Sequence, residues 1–160
     1  MSKRSECAVM NNRYYAVCGI VKINEKILMV RHTYGSAKDR ILLPGGYVQE
    51  GELPTKAVER EILEETSVTA KAKSIFSVQF KPEQWCVIFL MDYVEGEPKS
   101  DGYENSEVLL ISAEEAVERD DITNLSRAVL KAYLNNIGGL EKSDYMRNGS
   151  TSEDYAIFGI

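Results

Sequence analysis

The sequence predicts an α/β fold in which helices cover the faces of a mixed β-sheet. Short apolar runs with strand character recur along the chain, and between them the spacing of apolar residues changes to that of helices. With 160 residues, 44% of them hydrophobic, the chain has the size of one compact domain with its own core. We therefore expect one domain over residues 13–139, preceded by an N-terminal extension over 1–12.

Residues 140–160 are predicted to form a C-terminal tail. The segment is polar in its middle but ends in several apolar residues, and an ordered apolar end usually packs on another surface. The tail is therefore expected to lie on its own domain or on a second subunit.

Apolar runs bounded by turn residues predict the strands. Asn24 and Glu25 form a short hairpin-like connection between the first two runs, and the run 85–94 is almost wholly apolar, as expected for a strand covered on both faces. The predicted strands, in chain order, are 14–23, 27–30, 41–43, 68–80, 85–94 and 108–111.

Helical periodicity and capping residues predict three helices. Pro54 suits the first position of a helix over 54–66, where its missing N–H costs nothing. Ser112, followed three residues later by Glu115, is predicted to cap a short helix. A longer amphipathic helix is predicted over 122–136.

Charge and composition exclude several classes of function. The net charge is -6, so attraction to a nucleic-acid backbone is not expected, and an anionic ligand needs a bridging cation or a local basic patch. Cys7, Cys18 and Cys86 lack the paired spacing of a disulfide framework or zinc site. No run of about 18 apolar residues could span a membrane. We expect a cytoplasmic protein that binds neither nucleic acid nor membrane.

The helix over 54–66 carries carboxylates on one face. On a wheel of about 100° per residue, Glu61, Glu64 and Glu65 span roughly 100°. An acidic helix face is often merely solvated, but Glu61 and Glu65 also overlap the apolar arc, an unusual place for idle charges. Clustered carboxylates suit Mg²⁺ or Mn²⁺, which neutralises phosphate charge, orients a diphosphate and lowers the pKa of an attacking water.

Several residues near these carboxylates are predicted to support the site. Arg60 can hold a carboxylate through its planar fork. Gly45 and Gly46 let the backbone pass close to the metal site, where a side chain would block it. Arg31, at the end of a strand, can hold a phosphate, whereas the neighbouring His32 is expected to be an exposed loop residue.

Two aromatic residues can stack on a base. Tyr47 and Trp85 have suitable rings, although Trp85 is expected in the core.

This pattern resembles the box of the Nudix (MutT-like) hydrolase family. The matching residues are Gly46, Glu52, Arg60, Glu61, Ile62, Glu64, Glu65 and Val68. Ser67 stands where the family has glycine, which is expected to cost about 1 kcal/mol if the backbone is left-handed there. The resemblance implies the Nudix fold, an α/β/α sandwich with a mixed β-sheet.

The resemblance also implies an activity and roles for the residues of the box. The expected reaction is Mg²⁺-dependent hydrolysis, with Mn²⁺ as an alternative, of a pyrophosphate linkage in a nucleoside diphosphate joined to another moiety, such as a nucleoside triphosphate or ADP-ribose. Glu61, Glu64 and Glu65 become metal ligands, supported by Glu52 and Arg60. By family analogy the protein can be a homodimer.

The family commonly takes one further carboxylate, a general base or extra ligand, from a loop beyond the box. Glu97, Glu104 and Glu107 are candidates that the sequence does not separate. Two other functions stay open. One is a non-catalytic nucleotide-binding module, against which the nearly complete box argues. The other is isomerase chemistry of the isopentenyl diphosphate type, which needs a catalytic cysteine where the cysteines here look structural.

Overall fold

A computed structural model of the chain describes residues 14–142, 144–146, 148–153, 155–156 and 159. The predicted extension over 1–12 lies outside the described residues. The strands are β1 (Tyr14–Ile23), β2 (Lys26–His32), β3 (Ile41–Leu42), β4 (Gly45–Tyr47), β5 (Thr69–Phe80), β6 (Gln84–Glu95), β7 (Asn105–Ile111) and β8 (Leu140–Glu141). The helices are α1 (Pro54–Thr66), α2 (Ala113–Glu118) and α3 (Asn124–Leu134), and a single 3₁₀ turn spans Gly35–Ala37.

The strands form one mixed sheet in the order β3-β2-β1-β6-β5-β8, with β4 paired to β1 and β7 paired to β2. β1 and β6 run parallel over eight residue pairs, and the other pairings are antiparallel. The predicted mixed sheet is therefore confirmed.

Alternate residues of the central strands face two separate cores. On β1, Ile20 belongs to the core under α2 and α3, whereas Val17 and Val21 belong to the core under α1. On β6 the neighbours Ile88 and Phe89 divide in the same way. Since successive strand residues point to opposite faces, the helices lie on both sides of the sheet. The α/β/α sandwich is confirmed.

The turns and caps follow local sequence. Asn24 and Glu25 both have positive φ angles, 49° and 63°, which suits a two-residue hairpin turn. The Ser112 hydroxyl accepts a hydrogen bond from the Glu115 amide at 3.1 Å, so the predicted capping of the short helix is confirmed. The longer helix starts later than predicted, because Thr123 forms its N-cap.

Ser67 ends α1 in the left-handed region, with φ 61° and ψ 15°. Its amide donates to the carbonyl of Leu63 at 2.9 Å, as in a helix C-cap. Glycine adopts this conformation without a Cβ penalty, so we expect Ser67→Gly to raise the free energy of unfolding by about 0.5–1 kcal/mol.

Thermal unfolding of Ser67→Gly measures this cost directly. The control is Ser77→Gly in β5, which pairs with Ile88 and where φ is not positive, so glycine should destabilise the strand. A lower Tm in both variants would show that Ser67 carries no left-handed strain.

The described part of the tail contacts its own domain at two places. Leu140 and Glu141 form β8 and pair with Ile75 and Ser74 on the edge of the sheet. Farther along, the Glu153 carboxylate lies 3.3 Å from the Lys56 ammonium group on α1. No helix in the described part of the chain is long and apolar enough to cross a membrane.

Candidate active site

Three carboxylates converge at the end of α1. Glu61 and Glu65 lie one helical turn apart, and Glu104 comes from the loop that precedes β7. One oxygen from each residue lies within 4.8 Å of the others. We call these three residues the acidic cluster.

Glu65 is the most deeply placed member of the acidic cluster, with 1% of the residue exposed. Its Oε2 accepts a hydrogen bond from the Gly45 amide at 3.1 Å, whereas its Oε1 is buried without a hydrogen-bond partner among the described residues. A buried, unpaired carboxylate oxygen is costly unless something else satisfies it. Oxygen ligands of this kind fit Mg²⁺ or Mn²⁺.

Burial also changes the proton affinity of the cluster. It raises the pKa of Glu65, against the opposing effects of the nearby His32 imidazole and of the hydrogen bond from the Gly45 amide. It raises the pKa of Glu61 as well, and here the Arg60 guanidinium opposes the increase. The folded protein therefore holds these two carboxylates at an energetic cost that a cation would offset.

Gly46 lies against the Glu61 carboxyl group. A Cβ atom at Gly46 would overlap the Glu61 carboxyl, its Oε1 lying only 2.6 Å away. At Gly45 a Cβ would overlap the carbonyl oxygen of Val17 on β1. Any residue with a Cβ atom would overlap its neighbours at these two positions, which explains the Pro-Gly-Gly turn before the helix.

Arg60 joins the supporting carboxylates to the cluster. Its Nε and Nη2 donate to the two oxygens of Glu52 at 2.8 and 3.1 Å, and its Nη1 donates to Glu61 at 2.8 Å. Nη2 also donates to the carbonyl of Tyr47 at 3.0 Å. The Arg60 guanidinium lowers the pKa of Glu52. Arg60 thus fixes Glu61 on one side of the cluster.

Glu64 lies outside the acidic cluster, and its role as a metal ligand stays a prediction. Its side chain is 59% exposed, and Oε2 accepts a hydrogen bond from Arg60 Nη1 at 3.1 Å. The wheel explains the difference, because Glu61 and Glu65 fall within the apolar arc of α1 and Glu64 falls at its margin.

A dense hydrogen-bond network holds the loop that carries Glu104. The carboxylate of Asp101 accepts from the amides of Tyr103, Glu104 and Asn105 at 2.9–3.1 Å. The buried Asn105 side chain donates to the backbone carbonyl of Glu65 at 2.8 Å, which ties this loop to α1. Asp101 and Asn105 were not among the site residues predicted from the sequence. The only local signal was the Asp101-Gly102 pair, which is typical of a turn.

Arg31 and Glu107 lie opposite each other on β2 and β7 rather than in the cluster. Arg31 Nε donates to Glu107 at 2.9 Å, and its Nη1 donates to Asp121 at 3.0 Å and to the carbonyl of Asp39 at 2.8 Å. Its hydrogen-bonding capacity is thus largely taken by protein groups. Glu97 is an exposed residue in the loop after β6.

His32 differs from its predicted exposed position. A bulge between Arg31 and His32 interrupts the pairing of β2 with β7, and bulges redirect side chains. The His32 side chain is only 15% exposed, and its Nε2 lies 3.9 Å from the unpaired Oε1 of Glu65. Trp85 also departs from expectation, because it is 41% exposed and packs edge-on against Phe80.

A cavity of about 570 Å³ opens beside the acidic cluster. Glu61 and Glu104 line it together with the exposed rings of Tyr34 and Tyr47. Other parts of the wall are apolar and include Leu43, Leu125, Cys18 and Cys86. The size and mixed lining suit a small molecule with a charged centre and apolar or aromatic ends.

Cys18 and Cys86 are free thiols. A hydrogen bond with the Cys86 thiol, followed by burial, holds the pKa of Cys18 well above its usual value. Cys18 is therefore a neutral thiol near pH 7, and its structural role stays a prediction.

One curated protein is similar in sequence to about half of the chain. It is the ADP-ribose pyrophosphatase of Methanocaldococcus jannaschii, 36% identical over 91 residues. The match covers 53% of this chain and 54% of that protein, so the chain spans about half the length of this relative.

Solved structures show the same fold. A NUDIX hydrolase from Nitrosomonas europaea superposes with a TM-score of 0.72 at 22% identity, covering 79% of this chain and 72% of that one. A bifunctional NMN adenylyltransferase/ADP-ribose pyrophosphatase from Francisella tularensis, in complex with AMP and a manganese ion, gives a TM-score of 0.68 at 22% identity. That match covers 79% of this chain and 42% of the Francisella chain.

The family model of the NUDIX domain matches residues 13–133. This range includes the whole box, strands β1 to β7 and Glu104, and it takes in most of the chain. On this match, the chain belongs to the NUDIX domain family.

Proposed function

We propose that the chain hydrolyses a pyrophosphate linkage in a small nucleotide, with Mg²⁺ or Mn²⁺ held by Glu61, Glu65 and Glu104. The observation that carries this proposal is the unpaired, buried Oε1 of Glu65 within a cluster of carboxylates beside a nucleotide-sized cavity. A bound divalent cation supplies charge neutralisation of the phosphates and activation of water.

The other residues of the box prepare the site for the reaction. Arg60 and Glu52 hold Glu61 in one orientation, and the Gly45 amide does the same for Glu65. Asn105 keeps the Glu104 loop against α1. Preorganised oxygen ligands do not need to rearrange when the diphosphate arrives, which lowers the barrier to reaction. Of the three candidates beyond the box, the geometry supports Glu104 as the one that acts.

The charges around the cavity favour a diphosphate over a triphosphate. Among the described residues, no lysine or arginine lines the cavity. Arg60 and Arg31 are both engaged by carboxylates. A triphosphate carries more negative charge than a diphosphate ester, and the cluster's own carboxylates add to the repulsion. We infer a nucleoside diphosphate joined to an uncharged moiety, and the named activity of the Methanocaldococcus relative makes ADP-ribose the first substrate to test.

Product analysis on a substrate panel tests the proposal. The panel contains ADP-ribose, nucleoside triphosphates and dinucleoside polyphosphates, each with Mg²⁺, Mn²⁺ or EDTA. ADP-ribose should give AMP and ribose 5-phosphate, and EDTA should abolish the reaction. Tight nucleotide binding without turnover would instead indicate a non-catalytic module. An isomerised but intact diphosphate would indicate isomerase chemistry.

Two matched glutamine variants test the assignment of Glu104. Glu104→Gln should lower kcat about 10²-fold or more because it removes a carboxylate from the cluster. Glu107→Gln removes only a partly exposed ion pair with Arg31, so kcat should change less than about threefold. The opposite ranking would assign the role to Glu107. The cytoplasmic location and the homodimer stay predictions.

A further inference from the structure

Tyr34 stands next to the acidic cluster without a role in the site described so far. Its ring lines the cavity, is 52% exposed and stacks on the His32 imidazole, with ring centroids 5.2 Å apart and planes inclined by 15°. His32 in turn lies 3.9 Å from Glu65. A continuous series of contacts therefore leads from the buried carboxylate to the tyrosine ring.

The backbone at Tyr34 is fixed relative to the cluster. The amide of the preceding residue, Thr33, donates to the carbonyl of Glu104 at 3.1 Å, and its hydroxyl donates to the carbonyl of Tyr103 at 2.8 Å. The 3₁₀ turn Gly35–Ala37 follows directly. The backbone next to Tyr34 is thus tied to the Glu104 loop, and the Tyr34 ring is stacked on His32.

The Tyr34 hydroxyl is available to a ligand. It has no hydrogen-bond partner among the described residues. Burial raises the pKa of Tyr34, and the carboxylates of Glu104, Glu65 and Glu61 add to the increase. The phenol therefore keeps its proton near neutral pH and can only donate to an anion there.

The Tyr34 hydroxyl is one of the neutral hydrogen-bond donors in the lining of the cavity. Among the described residues, no lysine or arginine lines the cavity. A phosphate there can therefore accept side-chain hydrogen bonds only from neutral groups or from His32. We propose that Tyr34 binds substrate by donating a hydrogen bond from its hydroxyl to a non-bridging oxygen of the diphosphate at the acidic cluster. This inference rests on the proposed function, and it adds a residue outside the box.

The proposal is tested with Tyr34→Phe, which removes the hydroxyl and keeps the ring, and with Tyr34→Ala, which removes both. Tyr133→Phe is the matched control, because this tyrosine packs on Phe76 and does not line the cavity. The readouts are steady-state kinetics on ADP-ribose with Mg²⁺ and calorimetric binding of α,β-methylene-ADP, a non-hydrolysable diphosphate, to the Mn²⁺-loaded protein.

We expect Tyr34→Phe to lower kcat/KM about 10- to 100-fold, the usual loss for one neutral donor to a charged acceptor. Binding of the analogue should weaken by a similar factor, with Tm unchanged, while Tyr133→Phe behaves as wild type. Wild-type values for Tyr34→Phe in both assays would overturn the proposal. Wild-type values for Tyr34→Phe with a loss only in Tyr34→Ala would also overturn it, since the ring alone would then matter.

The two proposals fail in different ways. If the wild-type protein hydrolyses nothing on the panel, the proposed function fails, and the binding assay still tests Tyr34. If the wild-type protein is active and Tyr34→Phe is equally active, only the assignment of Tyr34 fails.

Discussion

Glu65→Gln is expected to lower kcat by about 10²- to 10⁴-fold, because it replaces a buried cluster carboxylate by a neutral amide. The glutamine oxygen can still accept the Gly45 hydrogen bond that Oε2 accepts now. Its NH₂ group would occupy the position of Oε1, where a donor repels a cation. The variant should therefore fold normally and lose its metal site.

Thermal unfolding with and without metal separates this effect from a folding defect. Saturating Mn²⁺ at about 100 times Kd should stabilise the wild-type protein by about 2.7 kcal/mol and leave Glu65→Gln unchanged. In EDTA the variant should be at least as stable as wild type, because burial penalises the charged form of Glu65.

Glu118→Gln on the exposed side of α2 is the control and should match wild type in both assays. Full activity in Glu65→Gln would contradict the proposed site.

The helical part of the site was predictable because it depends on local geometry. The 3.6-residue period alone places Glu61 and Glu65 toward the apolar side of α1, and both are indeed largely buried. The same period puts Glu64 on that face too, but at its edge, where the structure leaves it exposed. Burial at the margin of a helix face depends on neighbouring elements, which periodicity does not describe.

The loop contribution could not be predicted in the same way. Glu104 reaches the cluster through hydrogen bonds of Asp101 and Asn105, and these depend on how β7 aligns with β2 and α1. Because this long-range alignment cannot be predicted from the sequence, Glu97, Glu104 and Glu107 were equivalent candidates. The position of His32 beside Glu65, next to an irregularity in the pairing of β2 with β7, depends on the same alignment.

Long strands and capped helices were predicted well, as was the two-residue β3, whereas β4 and β8 were missed. β1 and α1 have the predicted bounds, since each has a strong pattern and clear end signals. β4 and β8 have three and two residues, too few for a periodic pattern to emerge. β4 nevertheless matters most for the site, because it brings Gly46 against Glu61.

Arg60→Ala is expected to reduce both stability and activity. Arg60 contacts Glu52, Glu61 and Glu64, and the first two are mostly buried. Removing the guanidinium leaves these carboxylates without their counter-charge, which should cost about 2–4 kcal/mol in the free energy of unfolding. Glu61 also loses the contact that orients it, so kcat should fall about 10- to 100-fold.

Arg60→Lys serves as an intermediate variant and Lys73→Ala as the control for this prediction. A lysine can satisfy one carboxylate but not the fork of hydrogen bonds to Glu52, so Arg60→Lys should fall between wild type and Arg60→Ala. Lys73→Ala removes an exposed ion pair with Asp92 and should cost less than about 0.5 kcal/mol. Equal losses in Arg60→Ala and Lys73→Ala would show that Arg60 is only a surface charge.

The pH dependence of Arg60→Ala shows whether Arg60 stabilises the fold through its charge. Arg60 lowers the pKa of Glu52 in the folded protein below the ordinary value of 4.5. Its stabilising effect is therefore fully present above pH 4.5 and is lost as the pH falls through the lower folded-state pKa. In metal-free buffer, the Tm difference between wild type and Arg60→Ala should be widest near neutral pH and narrow below pH 4.5. A difference that stays constant down to pH 3 would mean that Arg60 stabilises the fold by packing rather than by its charge.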